Sequence, residues 1–121
     1  MSERILQRHL KRNIQSEFDV INFYLNNLDK LNYNKNKKKI DTLVFDSFKH
    51  AMKISKVLLA RKREDKGLSE KARKVALKEE CDVREIYRYQ LMKHKDKEVM
   101  KLLHDLIIDE SEHEKTVRAL K

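Results

Sequence analysis

The sequence predicts an all-α protein, a four-helix bundle built from two similar helical hairpins. Three observations carry this. Helix breakers are almost absent, since the 121 residues include no Pro and a single Gly, Gly67. Apolar residues recur at steps of three and four in four separate segments, as amphipathic helices require. The second half of the chain also repeats the first at a constant offset. The length suits one domain over 1–121, with hairpin one at about 1–63 and hairpin two at about 64–121.

The first stripe runs through Leu10, Ile14, Glu17, Ile21, Tyr24, Leu28 and Leu31. It holds one helix face for about six turns, and only Glu17 is out of character on it. Residues Asn32 to Lys39 are polar and carry three Asn in five residues, which predicts a turn. The second stripe is Ile40, Leu43, Ser47, His50, Ile54 and Val57 or Leu58, with Ser47 and His50 as its polar members. A charged run from Arg61 to Lys66 and then Gly67 mark a break. Ser69 is placed to cap a third helix, with Leu68 in the staple position before it. That helix carries Leu77, Glu80, Arg84, Tyr87 and Leu91. Asp96 is placed to cap a fourth, whose stripe is Leu103, Leu106, Glu110, His113, Val117 and Leu120.

Composition removes several function classes. One cysteine, Cys81, cannot form an intramolecular disulfide or a cysteine-based metal cluster. No apolar run approaches the ~18 residues of a membrane span. The polar stretch from Met1 to Arg12 is not a signal peptide, so the expected location is cytoplasmic. No Ser/His/Asp or Cys/His arrangement suggests a hydrolase. The net charge of +9 is compatible with a nucleic-acid partner, but no base-reading motif accompanies it.

The repeat has an offset of 63 residues. It aligns Glu17-Phe-Asp-Val-Ile-Asn-Phe-Tyr24 with Glu80-Cys-Asp-Val-Arg-Glu-Ile-Tyr87. The same shift carries Leu43 to Leu106, Asp46 to Asp109, Ser47 to Glu110, His50 to His113 and Ile54 to Val117. Two copies of one hairpin about a pseudo-twofold axis explain this. Glu17 and Ser47 each lie about 22 Å of helix from Asn32, so they face each other across an antiparallel hairpin. Glu80 and Glu110 flank Lys95 in the same way. One layer is therefore expected to gather Glu17, Ser47, His50, Glu80, Glu110 and His113.

Burying three carboxylates and two imidazoles together is costly without a cation. A divalent metal satisfies several at once, and Glu and His three apart on a helix point the same way. Mixed oxygen and nitrogen ligands suit iron, manganese or zinc.

On these residues the chain resembles the ferritin-like superfamily, rubrerythrin-like proteins in particular. The resemblance rests on Glu17, on Glu80, and on the Glu-x-x-His motif of Glu110 to His113. It implies that Glu17 and Glu80 are terminal ligands and that each His caps one metal. One ion would see Glu17, His50 and Glu110, and the other Glu80, His113 and Glu110. Tyr24 and Tyr87 would lie near the site, to hydrogen-bond a ligand or lend an electron. Two positions depart from the pattern. Ser47 stands where the family has a bridging Glu, so water or Asp46 takes that place, or one metal binds instead of two. Arg84 stands where the first half has Ile21, and a buried Arg there forms an ion pair and can replace a cation.

Each residue also has a plainer reading. Lone boundary carboxylates usually pair with Lys or Arg, a lone His50 is usually a satisfied core histidine, and Tyr24 and Tyr87 are simply core aromatics. Cys81, whose repeat partner is Phe18, reads as a small packing residue. The repeated spacing favours metal over these.

The resemblance implies a long crossover between helices two and three, which a segment from Glu64 to Ala72 just supplies if helix two ends near Arg63. A plain up-down-up-down bundle, and nearly continuous helices that exchange hairpins between two chains, are the other topologies. The expected function is redox chemistry of iron with oxygen or peroxide, or iron oxidation. The expected form is a homodimer served by an external electron-donor protein, with no membrane partner. A metal-free interaction module on the same fold is the second reading, and a basic nucleic-acid binder the third.

Overall fold

A computed structural model describes residues 2–121. Four helices follow one another: α1 (Glu3–Asn26), α2 (Tyr33–Ala60), α3 (Glu70–Lys93) and α4 (Lys97–Arg118). Helix α1 packs on α2 and α3 on α4, so the chain forms two antiparallel helical hairpins, as a ferritin-like bundle requires. They are two compact units, Met1–Arg63 and Glu64–Lys121, each described by itself below.

The helix starts follow the capping chemistry of the sequence. Ser69 Oγ accepts the backbone N–H of Ala72 at 3.1 Å, and Asp96 Oδ1 accepts that of Val99 at 3.0 Å. Ser2 does the same for Ile5 at the start of α1. At the far end of α4, Arg73 donates to the backbone carbonyls of Arg118 and Leu120, which satisfies acceptors left over by the last turn.

The turn of hairpin one lies earlier than the asparagine-rich run suggests. It occupies residues 27–32, and α2 already begins at Tyr33. Asn32 takes the left-handed conformation (φ 54°), which Asn tolerates better than most residues. Asn36 is non-helical (φ −112°, ψ 20°), and its side-chain amide donates to the carbonyl of Leu31 at 3.0 Å. The remaining lysines of the run continue as exposed helix. Asp41 closes the turn by accepting from Tyr33 Oη at 2.6 Å and Lys37 Nζ at 2.7 Å.

Hairpin one is held at this end by a small core. Ile21, Ile40 and Val44 are buried together, with Tyr24, Leu28, Leu31 and Tyr33 packed around them. At its open end, the Arg61 guanidinium grips the Glu3 carboxylate at 2.6 and 2.8 Å. In hairpin two, the buried positions are Leu103 and, against expectation for a charged residue, Glu114.

Helices α2 and α3 are not continuous. Nine residues, 61–69, separate them without regular structure, and Gly67 has a φ of +81° that an L side chain rarely adopts. No helix among the described residues is long and apolar enough to cross a membrane.

Candidate metal centre

Helices α1 and α2 run antiparallel, so residues a fixed distance from the turn meet. This puts Glu17 Oε1 3.3 Å from His50 Nδ1. Ser47, one turn before His50, is buried at 6% exposure in the same helix. Asp46, beside it in sequence, is exposed. Hairpin one thus supplies one carboxylate and one imidazole, with a neutral hydroxyl residue where hairpin two has a carboxylate.

Hairpin two supplies the fuller set. Glu80 Oε2 of α3 lies 3.3 Å from His113 Nδ1 of α4, the counterpart of the Glu17–His50 contact. Glu110 Oε2 lies 3.5 Å from the same imidazole nitrogen, because Glu110 and His113 share a face of α4. Glu80, Glu110 and His113 each offer a ligand atom, and these atoms lie within 4.8 Å of one another. Glu110 is mostly buried, its side chain 14% exposed, while Glu80 and His113 reach solvent.

The electrostatics of this trio are strained without a cation. Glu110 is pushed above the usual carboxylate value, first by its side-chain contact with Glu80, then by burial and by Glu80's charge. Glu80 is lowered, first by that same shared contact and then, against its desolvation, by His113. His113 is raised, chiefly by Glu80. Glu110 Oε2 is buried and has no hydrogen-bond partner. Two carboxylates competing for one proton beside an orphaned oxygen and an imidazole are a donor set suited to a divalent ion. Iron, manganese and zinc all take mixed oxygen and nitrogen donors of this kind.

The two tyrosines differ in setting. Tyr24 is half-buried in the hairpin-one core, edge-on to Phe23 at 5.5 Å between centroids. Tyr87 is half-buried on α3 two turns beyond Glu80.

Arg84 forms its partly buried ion pair with Glu114 of α4. Its other nitrogens reach Glu85 Oε1 at 3.3 Å and Cys81 Sγ at 3.4 Å. Glu114 lies about three turns after the buried Leu103 on the same side of α4. The repeat contains the signal that finds it. At the offset of 63 residues, Arg84 replaces Ile21 and Glu114 replaces Ala51, both buried in hairpin one.

No curated protein and no solved structure matches the chain. A family model for rubrerythrin matches residues 9–121, which include all but the start of α1 and every residue of the two Glu/His clusters. The chain therefore belongs to the rubrerythrin family, within the ferritin-like superfamily.

Proposed function

We propose that this protein is a non-haem iron protein acting in oxygen or peroxide chemistry, or in iron oxidation. The observation that carries the reading is the Glu80–Glu110–His113 cluster, with its orphaned buried oxygen. Glu80, Glu110 and His113 hold the first ion. Glu17 and His50 offer the corresponding pair on hairpin one, where Ser47 leaves the place of a carboxylate to water. Bound iron supplies one-electron redox chemistry and an open coordination position for oxygen or peroxide.

The chain's own residues have separable roles. The carboxylates of Glu80 and Glu110 offset positive charge and, when an ion displaces it, give up the proton they share. His113 gives up its proton to become a neutral nitrogen ligand. Tyr24 and Tyr87 are assigned the donation of a hydrogen bond or an electron, a role supported by their half-buried positions two turns beyond Glu17 and Glu80. The reading includes a homodimer and an external electron-donor protein. Large apolar side chains left exposed on both hairpins, such as Phe23, Phe45, Phe48, Ile86 and Ile108, support association.

Elemental analysis of the purified, untagged protein tests this, with Glu110→Ala as control. About one to two iron or manganese ions per chain, lost in the control, supports the reading. No metal, even after anaerobic loading with Fe(II), sinks it and leaves a metal-free interaction module.

A further inference from the structure

The positive charge of this protein belongs to one hairpin. Residues 1–63 hold fifteen Lys and Arg against six Asp and Glu, whereas residues 64–121 hold fourteen of each. The whole net charge of +9 therefore lies on hairpin one, and hairpin two is neutral. The pairing differs as well. Among the described residues, only Lys37 and Arg61 of the hairpin-one cations form ion pairs with carboxylates. In hairpin two, Arg73, Lys78, Arg84, Arg88 and Lys115 all do.

Part of the unpaired charge is arranged as a row. The buried face of α2 is Ile40, Val44, Ser47 and Ala51. At 100° per residue, Lys38, Lys49, Lys53 and Lys56, all beyond the Asn36 kink, fall on the opposite side of the helix. All four are exposed and none has a carboxylate partner. From Lys38 to Lys56 the row is about 27 Å long. Asp46 lies at its edge as the nearest acidic residue, and Thr42 continues the row as a hydroxyl.

From this geometry we infer that hairpin one is a docking surface for a nucleic-acid phosphate backbone, with the α2 lysine row as its contact. A line of unpaired cations matches a linear polyanion with regularly spaced charges. A phosphate-bearing bilayer offers similar charge, and Phe45 is exposed on the same helix, so lipid vesicles are one arm of the test. Lysine, a flexible point charge, suits binding that reads the backbone and not the bases. This goes beyond the metal chemistry and does not depend on it.

The test is fluorescence anisotropy of a short labelled DNA duplex against the full-length protein, between about 50 and 200 mM salt. Four phosphate contacts predict a log–log slope of affinity on salt of about −3.6. The triple variant Lys49→Gln/Lys53→Gln/Lys56→Gln should relax that slope by about 2.7. The variant Lys71→Gln/Lys74→Gln/Lys101→Gln removes the same charge from exposed positions of hairpin two and should leave the slope unchanged. Circular dichroism checks that both keep their helices. Equal effects of the two triples would show that only overall charge matters, and would overturn the localised surface. Absence of binding at the low-salt end, or binding to phosphatidylserine vesicles but not to DNA, would overturn the inference outright.

Discussion

Arg84 and Glu114 form an ion pair at the two positions where the first hairpin has Ile21 and Ala51. The Arg84 side chain is 20% exposed and that of Glu114 10%. A buried apolar pair in one half of the repeat has become a partly buried charged pair in the other. Both changes are needed, because either charge alone would be buried without compensation.

Arg84→Ala should therefore destabilise the protein by about 3 kcal/mol, since it strands the Glu114 carboxylate. The double variant Arg84→Ile/Glu114→Ala restores the residues of the first hairpin and should be neutral or stabilising. Urea denaturation of the single and double variants checks this. A double variant as unstable as Arg84→Ala would show that the pair contributes more than its own compensation.

Ser47→Glu rebuilds a Glu-x-x-His motif on α2. Ser47 is 6% exposed, so a carboxylate there lacks water. The metal-free variant should lose stability, on the order of 2 kcal/mol. The loaded variant should gain metal, moving toward two ions per chain by elemental analysis. Unchanged stoichiometry would mean that Glu17 and His50 do not form half of a metal site.

Glu110→Gln should separate stability from binding. It removes one of two carboxylates that contend for a proton, so the metal-free protein should melt a few degrees higher, roughly, at neutral pH. Metal affinity should fall at the same time, because Gln is a neutral and weaker ligand. Calorimetric melting with and without Mn(II) reads both, and a lower metal-free melting temperature would contradict the strained-site account.

Metal affinity should rise with pH. His113 and Glu110 both hold their protons to higher pH than usual, and an ion must displace them. Affinity should climb close to tenfold per pH unit for each proton displaced, and level off above the raised His113 value. Without metal the sign is opposite for His113. Its contact with Glu80 contributes fully below the ordinary imidazole value of about 6.5 and is lost as pH rises through the raised value. Titration calorimetry with Mn(II) in buffers of different ionisation enthalpy counts the protons, and a flat affinity between about pH 5.5 and 8 would refute the assignment.

Much of the candidate site was legible in one dimension because it is built from helix-local spacing. Glu110 and His113 share a face by virtue of being three apart. The 63-residue repeat singled out Glu17, His50, Glu80 and His113 before any coordinates. The caps at Ser69 and Asp96 were equally readable, since a cap depends only on its neighbours. The first turn was placed only in part, because composition alone sees polar residues. A lysine-rich stretch is as polar on an exposed helix as in a loop, and the Asn32 left-handed residue with the Asn36 amide settled where the chain reverses.

The sequence by itself determined four amphipathic helices, their pairing into hairpins and the chemistry of the Glu/His rows, because periodicity and repeats are properties of the chain alone. Tertiary structure alone decided that Arg84 seeks Glu114, that Glu110 keeps a buried oxygen without a partner, and that Ser47 is enclosed. The reason is physical. Which of several nearby carboxylates a guanidinium reaches, and whether an oxygen meets water or protein, depends on side chains from another helix packing over it. Spacing along one helix carries no record of that.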